Sequence, residues 1–382
     1  GALVYRLPTG QFSGATPMAD AAGRPFRTDA QGYLSGRGAL QLYDKLVALL
    51  PVTPTHPLTF TQQYSYFLTS AEPISSGLAL TQLSTPGVLT LTVPTAPMTN
   101  THPLMLFNLT VSLEWDASDD GLFQAQLENG FKRASELLFK VTNGQAALGR
   151  VDVLPAKTSW DQADLVLYAS NSLRPSAAIG GVVRAPMGES VLVSPPSQKI
   201  TKPVASAYVP GQIRMGVAWD PFGEEAGDLS EQWWRALAHE LSHHLFFLPD
   251  DYVGFKTGTH TTQRLLGRVD CKGSFMTTTF DPSYTAFLAR PAWQGDCLQT
   301  LAAFTTGRSD WETITHFYPM LKPPSASIAQ DGNRQLAEGP NLLPLDATRL
   351  FFWSLPQERP TLPARYFQFR NAKGEIVRLP TA

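Results

Sequence analysis

His239-Glu240-Leu241-Ser242-His243-His244-Leu245-Phe246-Phe247-Leu248-Pro249-Asp250-Asp251-Tyr252 sets two histidines four residues apart, a glutamate beside the first, and two carboxylates behind a proline. On a helix, positions i and i+4 leave the axis about 40° apart, so His239 and His243 share one face. With His239 at 0°, Trp234, Leu237, Leu241, Leu245 and Leu248 fall between roughly 160° and 240°, on the opposite side. The spacing predicts a helix with a buried stripe behind and two imidazoles in front. H-E-x-x-H on a helix is a metal-site pattern, with two nitrogen ligands and a carboxylate placed to take a proton from water. Glu240 sits about 100° round from His239, off the ligand face but within reach of a water there. Zinc lowers the pKa of such a water to about 7. His244, about 140° from His239, reads as a supporting residue and not a ligand.

Two histidines leave the site incomplete, because catalytic zinc takes three protein ligands and keeps one open position. Pro249 disfavours helical geometry at Leu248, so the helix is expected to end there. Asp250 comes seven residues after His243 (250 − 243), where the chain can fold back; Asp251 is its rival. A thermolysin-like site needs a glutamate on a following helix, and the next glutamate after Glu240 is the distant Glu312. A metzincin-like site takes its third ligand just after the helix and has a methionine turn below the metal, which Gly273-Ser274-Phe275-Met276 can supply.

On these residues the chain resembles the zinc-protease domain of the calcium-activated chloride channel regulators and their bacterial relatives. Their pattern is H-E-x-x-H, an Asp seven residues beyond the second His, then an acid and a Tyr. Here it is matched by His239, Glu240, His243, Asp250, Asp251 and Tyr252. The likeness continues in residues 139–154, in 271–276 and in Arg308-Ser309-Asp310-Trp311-Glu312, and spans residues 115–320. It implies a zinc endopeptidase acting on protein or peptide substrates, its own chain among them. It further implies His239, His243 and Asp250 as ligands, Glu240 as general base, Met276 in the Met-turn, and Asp251 and Tyr252 in support. One departure stands out: the family has a glycine in the turn after the second histidine, where this chain has Phe246-Phe247. The alternative reading is a secreted surface adhesion protein whose protease serves only self-processing.

The 382 residues, 43% hydrophobic and 16% charged, suffice for two or three cores. A net charge of −2 argues against nucleic acid or an anionic membrane as partner. No apolar run approaches the ~20 residues of a membrane span. Thirty Lys and Arg against 31 prolines suit a β-rich protein that is secreted or held at the cell surface. The only cysteines, Cys271 and Cys297, form either a disulfide or a pair of buried thiols.

The expected architecture is multidomain. Residues 1–110 read as an accessory β-sandwich with strands at Ala2–Tyr5, Lys45–Leu50, Tyr64–Leu68 and Gly87–Val93. Within it, residues 14–34 resemble the carboxypeptidase regulatory-like β-sandwich domains. Residues 111–320 read as an α/β metzincin-like zinc protease domain with a twisted mixed sheet and an active-site helix. Its elements are a strand over Leu104–Trp115, an amphipathic helix over Leu122–Val141, and strands at Arg150–Leu154, Asp164–Ala169, Ser190–Ser194 and Ile213–Trp219. The metal helix follows, capped by Asp228 and Glu231, and a further helix is expected within Ser283–Phe304. The acids of 116–120 offer a helix N-cap or, as the rarer use, a Ca²⁺ site. Loops 178–181 and 194–197 read as cleft walls, and Trp233, Trp234 and Trp311 as packing. Residues 321–382 read as a Pro-rich linker and β-strand tail, with a hairpin turn at 371–374.

Overall fold

The computed structural model describes residues 1–11, 14–34, 40–52, 59–60, 64–70, 72–74, 77–85, 89–93, 103–169, 173–177, 182–184, 207–209, 211–217, 219, 229–257, 264–281, 283–324, 345–354, 368–370 and 376–378. The strand expected at Ser190–Ser194, the loops 178–181 and 194–197, Asp228 and the turn 371–374 lie outside them. The fold is mixed α/β, with few helices against a large mixed sheet. No helix among the described residues is long and apolar enough to cross a membrane.

The elements that position the site are β1 (Leu3–Leu7), β2 (Lys45–Pro51), β3 (Tyr64–Thr69), β4 (Pro103–Leu113), α1 (Gly121–Val141), β5 (Ala146–Leu154), β6 (Leu165–Tyr168), β7 (Ser176–Ala177), β8 (Ile213–Gly216), α2 (Glu231–Phe246), β9 (Val253–Thr257), β10 (Arg264–Arg268), α3 (Leu301–Thr305), α4 (Asp310–Phe317) and β11 (Arg349–Phe352).

The eleven-residue β4 organises the sheet. One edge carries β5, parallel along most of its length. The other edge is shared: residues 103–107 pair antiparallel with β3, and residues 111–113 pair parallel with β6. From β3 the sheet runs antiparallel to β2 and β1; from β6 it runs to β8, parallel, and to β7, antiparallel. Side chains alternate across a strand, so β4 feeds two cores. Met105, Phe107, Leu109, Val111 and Leu113 meet α1 and α2 on one face. Leu104 and Leu106 join Tyr5, Leu7, Val47, Leu49 and Phe67 on the other.

The strands expected to form a separate N-terminal sandwich therefore continue the site-bearing sheet, and the boundary drawn at residue 110 falls inside β4. A near-continuous apolar strand can be covered on both faces, and β4 uses both. Residues 89–93 form no strand. The helix expected in Ser283–Phe304 is broken into 3₁₀ turns at Arg290–Ala292 and Gly295–Gln299 and the short α3, because Pro291 and Gly295 interrupt it. The expected tail strand Leu350–Trp353 becomes β11, paired parallel with β5 of the main sheet. Gln368–Arg370 and Ile376–Arg378 pair antiparallel around the expected turn.

Helix α1 starts where Asp120 accepts a hydrogen bond from the Phe123 N–H, so this acid serves as an N-cap. Gly130 lets α1 approach α2: a Cβ there would lie 3.0 Å from the Trp233 ring. α1 and α2 thus pack side by side on the same face of the sheet.

Candidate metal centre

Ser230, and not Asp228, caps α2: its hydroxyl accepts from the Trp233 N–H, and Glu231 occupies the first turn. Leu237, Leu241, Leu245 and Leu248 are fully buried, as the periodicity requires. Trp233 takes the core position expected of Trp234, and its ring N–H donates to the Gly216 carbonyl at 3.0 Å. Trp234 is half-buried with the Arg235 guanidinium over its ring. His244 is buried on the sheet side, with Nδ1 2.6 Å from the Gly211 carbonyl.

The helix ends at Phe246, two residues before Leu248. Phe247 adopts φ 59° and ψ 28°, the left-handed conformation that usually falls to glycine, and its N–H closes back on the His243 carbonyl. A side chain in that region costs roughly 1–2 kcal/mol. Burial offsets it: Phe247 is 4% exposed and its ring lies 4.3 Å from that of Phe317 on α4. The turn that lacks its glycine is made by a phenylalanine locked from the side.

This reversal carries Asp250 back onto the helix. Its Oδ1 lies 3.1 Å from His239 Nε2 and 3.2 Å from His243 Nε2. The two imidazoles stand edge to face, 4.8 Å apart. Three ligand atoms so converge within 4.8 Å of one another, and this group can hold a metal ion. Lone pairs aimed at one point repel unless a cation or a proton lies between them, and an N,N,O donor set suits zinc. His243 is already oriented for it: Nδ1–H donates to the Leu248 carbonyl at 2.5 Å, which turns Nε2 towards Asp250. His239 Nδ1 has no hydrogen-bond partner among the described residues.

Charges in the cluster sustain one another. Burial opposes ionisation of Asp250, but hydrogen bonds from both histidines outweigh it and hold the carboxyl well below the usual range. Burial disfavours the charged His243 ring, yet the hydrogen bond and charge of Asp250 and the charge of Glu240 raise its pKa. Glu240 is raised, chiefly by burial, while the Ala177 N–H of β7 donates to it. Tyr252 donates to Asp250; burial and the Asp250 charge push its phenol up to about 12.

Asp251, the rival ligand, faces away. Its N–H donates to the Met276 carbonyl at 3.0 Å, and its Oδ2 lies 2.7 Å from Ser274 Oγ. The same hydroxyl lies 3.1 Å from Asp310 Oδ2, which also accepts from the Leu288 N–H at 2.7 Å. A hydroxyl has one hydrogen and cannot serve two carboxylates. Burial raises both carboxyls, and for Asp251 the Asp310 charge adds to it, so the pair holds a proton. Met276 is buried in the expected turn, with its N–H on Ser274 Oγ at 3.1 Å. The Phe275 ring, next to Met276 in sequence, lies 6.3 Å from that of His239. Glu312 is spent elsewhere, on Arg290 and on the Ser309 N–H in a capping box, so it is no ligand.

Cys271 and Cys297 form a disulfide that pins the start of this turn to the segment before α3. That segment abuts β9: a Cβ on Gly254 would lie 2.0 Å from the Gln299 carbonyl oxygen, so only glycine fits there. The loop bearing Asp250–Tyr252 is therefore backed on two sides.

The centre opens into a cleft of about 1120 Å³. Arg174, Trp219, Leu266, Arg268 and Phe280 line it, and none stands out in sequence, since they come from four segments that share no motif. Comparisons of the chain with protein-family models, curated proteins and solved structures returned no match.

Proposed function

We propose that the chain is a zinc-dependent endopeptidase of the metzincin type. The observation that carries this reading is the meeting of His239, His243 and Asp250 around one point, with buried Glu240 beside them at the floor of an open cleft. His239, His243 and Asp250 would hold the ion, which when bound supplies a Lewis acid for a peptide carbonyl and for water. Glu240 takes the proton of the attacking water and returns it to the leaving nitrogen; its raised pKa keeps the protonated form within reach for that second transfer. Tyr252 stays protonated and steadies Asp250.

A peptide substrate is favoured by β7. Among the described residues it is the last strand on its side of the sheet, paired on one edge with β8, and Ser176 and Ala177 line the cleft. An extended peptide can add beside such an edge. The Cys271–Cys297 disulfide fits an oxidising compartment and so a secreted or surface-held protein.

Glu240→Gln tests the reading. The variant is expected to retain zinc by elemental analysis and to lose at least about 100-fold in peptide hydrolysis. Hydrolysis at the wild-type rate overturns the mechanism. Asp250→Ala is expected to lose zinc; full retention removes Asp250 as a ligand.

A further inference from the structure

The cleft is not uniform along α2. At the N-terminal side of the histidines lie Ala236, Trp219 and Phe280; Trp219 and Phe280 have ring centroids 6.2 Å apart, and Phe280 is 38% exposed. Arg235, next to Ala236, holds this side by donating to the Thr279 carbonyl at 3.1 Å. At the His243 side lie Tyr252, Arg268 and Arg174. Arg268 ends β10 and pairs in register with Val253, the residue after Tyr252. The Arg174 charge acts on the Tyr252 phenol. Seven residues of helix from Ala236 to His243 rise about 10 Å, which is roughly three residues of extended peptide.

Arg174 and Arg268 are both exposed, and neither makes an ion pair with any described residue. The nearby Asp270 is taken by the Tyr284 hydroxyl at 2.6 Å. The acids lining the cleft are Glu240, which accepts from the Ala177 N–H, and Asp250, which belongs to the ligand group. Arg174 precedes Pro175, which holds its backbone extended, and it leads directly into β7. Two guanidinium forks without an ion-pair partner among the described residues, one just before β7 and one at the end of β10, line one end of the cleft and make a carboxylate-binding arrangement.

We propose that Arg174 and Arg268 make this cleft selective for peptides bearing a carboxylate on the His243 side of the cut bond, with an apolar side chain on the Trp219–Phe280 shelf. The inference rests on the peptidase reading for its substrate class. The carboxylate belongs either to an internal Asp or Glu or to a free C-terminus.

Binding tests it apart from catalysis. Acetylated and amidated dodecapeptide pools, with Glu or Gln fixed at each position in turn, are titrated by fluorescence anisotropy against the zinc-loaded Glu240→Gln protein. A third set has Gln throughout and a free C-terminal carboxylate. At one or two positions Glu is expected to bind roughly 10- to 100-fold more tightly than Gln, or the free C-terminus to bind more tightly than its amide. Either pattern supports the proposal and says which carboxylate is read. Arg174→Ala with Arg268→Ala brings the ratio near one, and the Arg→Glu pair inverts it in favour of Gln. Equal binding of every Glu and Gln pool and of both C-termini overturns the proposal. So does a Glu preference that survives both substitutions. Cleavage of the same pools by the wild-type protein then separates the two readings. Carboxylate-selective binding with no cleavage of any pool sinks the peptidase and leaves the arginine site standing. Cleavage without carboxylate preference does the reverse.

Discussion

The two faces of β4 bury acids under opposite terms. On the N-terminal side the buried acid is Asp44, 0% exposed. It accepts from Arg6 Nε at 2.7 Å, the Thr9 N–H at 3.0 Å and the Gln41 N–H at 2.8 Å. Burial works against its charge, but these donors win and hold its pKa down. On the site side Asp251 and Asp310 lie deeper in the protein, share one hydroxyl and are pushed up. Depth and the supply of donors together set a carboxyl's state. The N-terminal face is an apolar core with one satisfied ion pair. The site face carries Ser242, His243, His244, Asp251, Ser274 and Asp310 inside it, with a His-His-Asp group that can hold a metal ion beside them.

The largest effect should come from the apolar side. Leu49, fully buried, is a core residue of the N-terminal face. Leu49→Ala is expected to cost about 2–5 kcal/mol in urea unfolding, with zinc affinity of the folded protein unchanged. A matched loss of zinc affinity would mean that the two faces are not separable.

Phe247→Gly comes next and probes the turn on the site side. Glycine recovers about 1–2 kcal/mol of left-handed strain but gives up the ring packed on Phe317, a loss of roughly 3–5 kcal/mol if the gap does not close. A net destabilisation of about 2 kcal/mol is expected, together with weaker zinc binding as Asp250 loosens. A more stable variant would show that the phenylalanine is merely tolerated there.

How much could be read in advance follows the same division. The stripe Leu237, Leu241, Leu245 and Leu248, the facing histidines and Asp250 obey local helical spacing and a proline break, and the structure brings them together as that spacing implies. Strand alternation in residues 1–69 gave the strands themselves, but it says which residues face inward and not which strand is the neighbour. The continuation of one sheet through β4 was accordingly hidden. Ser230 displaced Asp228 as cap by a shift of two residues, within the usual fraying of helix ends. Phe247 could not be read as the left-handed residue, because a bulky side chain is steered from that region unless distant packing holds it. Asp310 meets Asp251 across 59 residues (310 − 251), and no periodicity links two such positions.

A third change sharpens the contrast from the acid side. Asp44→Asn replaces one accepting oxygen by a donor that faces Arg6, Thr9 or Gln41. About 2 kcal/mol should be lost at pH 7. Because the folded pKa is depressed, the native carboxylate stabilises above the unfolded value and that stability is lost as pH falls through the folded one. The gap between variant and wild type should therefore narrow in acid. A constant gap from pH 7 to pH 3, by urea midpoints, would remove the ion pair as its source.

The smallest effect carries the opposite sign. The folded pKa values of Asp251 and Asp310 are raised, so the proton they hold stabilises fully below the unfolded carboxyl pKa of about 4 and is lost as pH rises towards the folded value. One extra bound proton tilts stability by at most about 1.4 kcal/mol per pH unit over that window. Asp310→Asn supplies permanently what the shared proton supplies only in acid: its amide oxygen can still accept from the Leu288 N–H, and its NH₂ can donate to Asp251. With metal chelated throughout, so that pH-dependent metal binding does not intrude, the variant is expected to equal the wild type near pH 4 and to exceed it by about 1 kcal/mol at pH 8. If wild type and variant lose stability with equal slope above pH 4, the buried pair is not what titrates. The site face would then owe its alkaline sensitivity to another group. If the variant is weaker at every pH, the shared proton was already a good hydrogen bond, and the site face is as well satisfied as the one built around Asp44.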